Sequence, residues 1–188
     1  MGIFRTLYRE LRDIAGLKPP PENETQLAER VCGELKGDLG GKREKQGDNY
    51  LLSSTYDGRE VKILCEAESG RAIVAMMTGI EAEIAFAVTT TPEERAQVQV
   101  ASGIFTEGAQ QRAAEQQAEL WKALPTGARG VASQILKSFG GRIFFEDGAL
   151  NFIPEKATLQ DKSARYTIKM QLQSLVKICV GMEEGWGG

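Results

Sequence analysis

Residues 50–67 read YLLSSTYDGREVKILCEA, and this stretch decides how the chain folds. Two runs with strand character flank Asp57-Gly58, and an Asp-Gly pair between such runs is a strong short-range signal for a β-hairpin. In the second run Val61, Ile63 and Cys65 alternate with their neighbours, which is typical of a strand with one buried face. The stretch therefore predicts two adjacent antiparallel strands.

The same pattern continues further along the chain. Candidate strands at residues 72–78 and 82–88 extend the first hairpin, so that residues 50–88 predict an antiparallel meander of three or four strands. Residues 141–153 carry a second Asp-Gly turn between apolar runs and predict a hairpin.

Capping signals and apolar spacing predict helices around these strands. Asn23 followed by Gln26 resembles a capping box, so a helix is expected to begin there and to end at Gly37. Residues 37–49 are rich in glycine and charged side chains and predict a solvated loop. Three more helices are predicted at residues 91–101, 108–124 and 128–139. A last helix is expected to begin at a cap on Asp161 or Ser163 and to end at Gly181.

These elements predict an α+β fold, in which the antiparallel meander and the C-terminal hairpin form a twisted sheet packed with helices. A chain of 188 residues is of the usual size for one domain. We expect a basic amphipathic helix and proline linker at residues 1–21, a single α+β domain at residues 22–183, and a flexible tail at residues 184–188.

The first helix carries a candidate contact surface for a partner protein or a membrane. Its apolar residues recur at helical spacing, with basic residues beside them. The apolar residues are Ile3, Phe4, Leu7, Leu11 and Ile14, and the basic residues are Arg5, Arg9 and Arg12. A helix this short is only marginally stable alone in water, so its apolar residues are expected to pack against another surface. A partner chain, an anionic membrane surface and the protein's own domain all remain open as that cover.

The composition bears on the chemistry of the chain. Histidine is absent, which removes the commonest transition-metal ligand and the usual partner of a serine or cysteine nucleophile. Cys32, Cys65 and Cys179 form no CxxC pair, so buried structural cysteines are expected rather than a reactive thiol or a disulfide. The sequence predicts no catalytic residues, no metal site and no cofactor.

The charge and hydropathy patterns narrow the location and the partners. A net charge of -3 gives no electrostatic footprint for nucleic acid, so no nucleic-acid partner is expected. No apolar run approaches the length of a membrane span, and charged residues interrupt any signal-peptide core. The prediction is a cytoplasmic protein, with the inner face of the membrane as the alternative location.

Two clusters of side chains are candidate binding or catalytic sites. Two pairs of carboxylates lie two residues apart and are expected to share a strand face, Glu66 with Glu68 and Glu81 with Glu83. Four phenylalanines surround the late hairpin, at positions 139, 144, 145 and 152. Solvated strand edges and aromatic packing against helices are the preferred interpretations of these clusters.

From residue 22 to 181 the element order is helix, meander, helices, hairpin, helix. This order is similar to that of the class I type III secretion chaperone-like fold, which several bacterial families share. The resemblance rests on element order, and the helix at residues 108–124 departs from the simplest pattern. It implies a strongly twisted antiparallel sheet, often in a dimer, that binds polypeptide rather than performing chemistry.

The sequence therefore predicts a non-catalytic protein-binding or accessory module, of the chaperone-like or adaptor kind. The alternative is an enzyme with a site built on carboxylates or tyrosine. The expected partner is another protein or a second copy of the chain, as in a homodimer. Peripheral membrane contact is expected through residues 1–18.

Overall fold

A computed structural model describes residues 22–80, 86–89, 124–146 and 148–186, with the backbone alone for residues 86–89, 146 and 186. The described helices are α1 (Glu24–Leu39), α2 (Thr126–Phe139) and α3 (Ala164–Trp186). The described strands are β1 (Lys42–Gln46), β2 (Asn49–Tyr56), β3 (Arg59–Glu66), β4 (Arg71–Met77), β5 (Phe86–Thr89), β6 (Arg142–Glu146) and β7 (Ala149–Ile153).

The described strands form one antiparallel sheet in the order β1-β2-β3-β4-β7-β6-β5. The predicted α+β class is confirmed, and so are the β2-β3-β4 meander and the β6-β7 hairpin. The prediction that the fourth strand of the meander continues from the third is wrong. The hairpin inserts between β4 and β5, because β4 pairs with β7 whereas β5 pairs with β6.

One face of the sheet packs against the helices and forms the core. Its central row runs across five strands in direct register, and its members are fully or almost fully buried. They are Leu52, Ile63, Val74, Phe152 and Ile143. Burial of a side chain of this size stabilises the fold by about 1.5–3 kcal/mol, so this row is a large part of what holds the sheet to the helices.

Helix α1 begins as predicted but runs further. The Asn23 side chain accepts a hydrogen bond from the Gln26 amide at 2.8 Å, and the Gln26 side chain accepts one from the Asn23 amide at 3.0 Å. The helix continues through Gly37 to Leu39, where Gly40 caps it with φ at +73°. The predicted loop at residues 37–49 is also wrong, because it contains strand β1.

The sequence pattern does not predict strand β1, because all five of its residues are exposed. An edge strand is held by backbone hydrogen bonds to one neighbour, so it needs no alternation of apolar side chains. Its sequence, KREKQ, has none.

Helix α3 crosses the glycine that was expected to end it. Gly181 is buried in the helix interior, where a Cβ atom would overlap the Cβ of Ala128 on α2. The glycine therefore lets two helices approach closely, and the helix continues to Trp186. Residues 184–186, assigned to the flexible tail, belong to this helix.

Two parts of the fold are built alike. Helix α1, a Gly-Gly pair and the β1-β2 hairpin match helix α2, a second Gly-Gly pair and the β6-β7 hairpin. The second glycine of each pair has positive φ, +87° at Gly41 and +90° at Gly141. In both, a Cβ atom would overlap a backbone carbonyl oxygen of the second strand of the hairpin. The close approach requires glycine and directs the chain from helix to strand.

Several predictions lie outside the described residues. They are the basic amphipathic helix and proline linker at residues 1–21, the helix at residues 91–101 and all of the helix at residues 108–124 except its last residue. Within the described part of the chain, none of the helices combines the length and the apolar character that crossing a membrane requires.

Candidate functional site

The second face of the sheet carries an apolar row that no described helix covers. Leu51 pairs with Leu64 across β2 and β3, and Leu64 pairs with Ile73 across β3 and β4. All three side chains are partly exposed, whereas their neighbours Leu52, Ile63 and Val74 are fully buried on the opposite face. At this level the sheet is therefore apolar on both faces.

Polar residues border this row on both sides. In one direction the next register row contains the polar Ser53 and Lys62 together with the small Ala75, and in the other Glu66 pairs with Arg71. Lys62 is exposed and makes no ion pair with a described residue. The apolar row, which we call the Leu64 row, is thus one side chain wide and about 10 Å long, from two strand spacings of about 4.8 Å.

Sequence reasoning missed the Leu64 row, although a signal was present. Leu51-Leu52, Ile63-Leu64 and Ile73-Val74 are consecutive apolar pairs in three neighbouring strands. Consecutive apolar residues in a strand indicate that both faces are covered. The prediction from alternation assigned only one residue of each pair to a buried face and made no prediction for the other.

Searches of protein-family models, curated proteins and solved structures give no match to this chain.

The predicted contact residues of the first helix cannot be placed. The eight side chains from Ile3 to Ile14 belong to residues 1–21, outside the described part of the chain. Contact with a membrane or a partner through residues 1–18 stays a prediction.

The carboxylate pairs do not form a paired catalytic site in the described residues. Strand β3 ends at Glu66, and Glu68 lies in the following turn, so the expected shared strand face is wrong for this pair. The Glu66 carboxylate accepts a hydrogen bond from the Ser69 hydroxyl and faces the Arg71 guanidinium at 3.4 Å. Glu81 and Glu83 lie outside the described residues. Among described side chains, no three of Cys, Asp and Glu cluster as metal ligands would.

The phenylalanines divide between the two faces of the hairpin. Phe145 and Phe152 are buried on the helix side, where the ring of Phe152 meets that of Phe139 edge-on at 6.4 Å. Phe144 is partly exposed on the other face, with the Arg142 guanidinium 5.2 Å from its ring centre. The expected packing of aromatic residues on helices holds for three of the four.

A groove between α3 and the β2-β3 turn is a second candidate surface. Tyr56, Asp57, Gln173, Val176 and Lys177 line it. It is widely open to solvent, and its lining combines one aliphatic side chain and one tyrosine ring with charged and amide groups.

The Arg59 guanidinium and the Glu183 carboxylate connect the sheet to the end of α3. Two parallel hydrogen bonds join them, from Nη1 to Oε1 at 2.5 Å and from Nη2 to Oε2 at 2.6 Å. The Gly79 amide donates a third bond to Oε1 at 3.0 Å. The hydrogen bond from Arg59 is the main reason why the pKa of Glu183 is lowered, although partial burial opposes it. Both side chains are mostly shielded from solvent, with 18% and 29% exposed.

We expect Glu183→Gln to lower the free energy of unfolding by about 1–2 kcal/mol at pH 7, since it removes hydrogen bonds to a charged group that solvent still partly screens. A lowered folded-state pKa stabilises the fold above the unfolded pKa of about 4.3, and the contribution is lost as the pH falls through the folded value. Chemical unfolding of both proteins from pH 7 to pH 3 should therefore show a difference that closes with acid.

Glu44→Gln is the matched control. Glu44 pairs with Lys42 on the exposed edge strand, so its loss should leave stability unchanged. A difference between Glu183→Gln and the unmodified protein that persists unchanged at pH 3 would contradict the role of the carboxylate.

Proposed function

We propose that this protein is a non-catalytic protein-binding module that holds an amphipathic helix of a partner protein on the face of its sheet that no described helix covers. The observation that carries the proposal is the Leu64 row. A contiguous apolar strip rimmed by polar residues is typical of an interaction surface. A solvated face of an antiparallel sheet would instead carry polar side chains at these positions.

The shape of the row favours a helix over a second sheet. The apolar stripe of a helix places residues i, i+3 or i+4, and i+7 over about 10 Å, which matches the length of the Leu64 row. A second copy packed face to face would also bury Lys62, Glu66 and Arg71 on both sides. Burying these charges without new partners would cost several kcal/mol.

The positive charge of Lys62 beside the Leu64 row favours a partner helix that carries acidic residues. Lys62 lies next to Leu64 along the row's border and is exposed, and the acidic residues Glu66 and Glu44 face Arg71 and Lys42. A helix with acidic residues on one flank of its apolar stripe would supply the counter-charge for Lys62. Such pairing at the rim of an interface contributes orientation more than affinity.

The proposal predicts binding that depends on Leu64. The probe is a fluorescent synthetic amphipathic helix with a leucine stripe and a glutamate flank, added to the full chain and followed by anisotropy. Leu64→Glu should weaken its binding about tenfold or more, because the variant puts a charge where an apolar contact was buried. Lys62→Glu should weaken it less and reduce its salt dependence.

Thr55→Glu is the control, because it adds the same charge to the same face away from the row. Equal binding by Leu64→Glu and Thr55→Glu would overturn the proposal. A photo-cross-linking residue at position 64 of the full chain distinguishes other occupants. Cross-links to residues 1–18 of the same chain, or to a second copy, would assign the face to this protein itself and contradict a foreign helix.

A further inference from the structure

Strand β1 lies at one end of the described sheet, with no described strand on its outer side. All five of its residues, Lys42 to Gln46, are exposed. In an antiparallel ladder the N–H and C=O groups of alternate residues point away from the neighbouring strand. The outer side of β1 therefore presents backbone donors and acceptors that no described strand pairs with, and such an edge can accept a further strand.

The unit that contains β1 and the unit that contains β6 correspond residue by residue. Helix end, Gly-Gly pair and hairpin match at a constant offset of 100 residues. The register of the two hairpins is also the same. Residues 42–46 pair with residues 49–53, and residues 142–146 pair with residues 149–153. Positions on β6 can therefore be transferred directly to β1.

The second unit has a strand at the place in question. Strand β5 pairs antiparallel with the outer side of β6, opposite residues 142–145. The equivalent positions on β1 are residues 42–45, so β5 shows the register that an added strand would have there. Residues 142–145 read RIFF and β5 reads FAVT, whereas residues 42–45 read KREK. A strand that fits β1 therefore differs from β5 in its charge.

Two cations of β1 lie on the helix side of the sheet. They are Arg43 and Lys45, which pair with the buried residues Leu52 and Tyr50. Both lie over the ring of Tyr50, at 5.3 Å and 5.8 Å from its centre. Arg43 also faces the Glu29 carboxylate at 3.8 Å, whereas Lys45 makes no ion pair within the described part of the chain.

On the other face of β1 the charges cancel, because the Lys42 ammonium and the Glu44 carboxylate are 2.5 Å apart. The charge that remains on the edge is positive. We propose that β1 accepts an extended segment of a partner protein as an added antiparallel strand, with two acidic residues opposite Arg43 and Lys45. Alternate residues of a strand share a face, so acidic residues two positions apart contact both cations. This site is separate from the Leu64 row and does not depend on the function proposed for that row.

The charge pattern disfavours a second copy as the occupant. Two β1 strands paired antiparallel about Glu44 would place Arg43 opposite Lys45 on both sides of the centre and Glu44 opposite its own copy. Like charges directly opposite one another destabilise a pair of strands. Lysine on an edge strand also discourages pairing with uncharged or basic strands, so the edge selects for acidic ones.

The sequence also disfavours an occupant from the same chain. Residues 1–21 contain four cations and two acidic residues, and residues 90–123 contain no two acidic residues two positions apart. Glu81 and Glu83 have that spacing but precede β5, six strands away from β1. Three residues of chain between Glu83 and Phe86 span about 10 Å, whereas six strand spacings amount to about 29 Å.

The test adds a capped synthetic peptide, Thr-Glu-Val-Glu-Thr, to the isotope-labelled full chain and follows the backbone amides by NMR. The expected shifts centre on residues 42–46. Lys45→Glu should weaken binding about fivefold or more, because an attraction across the strands becomes a repulsion. Lys62→Glu makes the same charge change on the other face and should alter binding by less than about twofold. Lys45→Glu should leave the amphipathic-helix probe bound as before, so the two surfaces are tested independently.

Methylation of the peptide nitrogens separates strand pairing from charge attraction without altering the protein. Methyl groups on one alternate set of amides should abolish binding, and methyl groups on the other set should not. Equal effects of the two methylated peptides would overturn the proposal, as would equal losses in Lys45→Glu and Lys62→Glu or no shifts at residues 42–46. Slow hydrogen exchange at every β1 amide of the free chain would also overturn it, because the protein itself would then occupy the edge.

Discussion

Gly141→Ala and Gly41→Ala are each expected to destabilise the protein by about 4 kcal/mol or more, which is enough to unfold many domains of this size. At Gly141 the added Cβ would overlap the Ile153 carbonyl oxygen and lie 2.8 Å from the Glu155 amide nitrogen. At Gly41 it would overlap the Ser53 carbonyl oxygen and lie 2.9 Å from the Cα of Ser54. Backbone atoms within a sheet cannot move aside as a side chain can.

Gly40→Ala separates this overlap from the cost of the backbone conformation. Gly40 also has positive φ, at +73°, but a Cβ atom there would meet nothing within 4 Å. This variant should lose only about 1–3 kcal/mol, the usual cost of such a conformation in a residue other than glycine. Urea unfolding of the three variants gives the comparison, and equal losses at Gly40 and Gly41 would show that the overlap is relieved by small shifts.

Gly181→Ala is expected to cost a net 1–3 kcal/mol, about the size of an overpacking penalty, even though alanine favours a helix over glycine by about 1 kcal/mol. Its Cβ would overlap that of Ala128 and lie 3.7 Å from the Cδ of Pro125, so α2 and α3 would have to separate. The measurement is the free energy of unfolding.

A compensating change tests the cause. Ala128→Gly in the Gly181→Ala background removes the overlap and should recover most of the overpacking cost, giving a coupling energy of about 1 kcal/mol or more between the two positions. Gly130→Ala, where a Cβ would meet nothing within 4 Å, should instead raise stability through helix propensity alone. An uncoupled pair would contradict close helix packing as the reason for Gly181.

The strands and helices were predictable where local chemistry decides them. The Asp57-Gly58 turn and the Asn23 capping box act within a few residues of chain, and both occur as predicted. Strand β1 was not predictable from periodicity, because its partner β2 holds it through backbone hydrogen bonds. The sequence predicts a helix end at Gly181. The glycine is instead needed for close contact with Ala128, which is distant in sequence, so local pattern alone does not show its role.

Contacts that are distant in sequence also limited the prediction of the sites. Buried cysteines were predicted and are observed. The Leu64 row depends on the register of three strands. Gln171 is a further example, since it is fully buried on α3 and its side-chain amide has no hydrogen-bond partner within the described part of the chain. Polarity alone would have placed it at the surface.

The position of β7 between β4 and β6 has a consequence during protein synthesis. Strands β1 to β4 are complete once residue 77 has left the ribosome, but the partner of β4 begins only at residue 149. At about 5–20 residues per second, roughly 4–14 s of translation separate the two. For that time the nascent chain presents the unpaired edge of β4, including Val74 and Met76, to any other strand or chaperone that it meets.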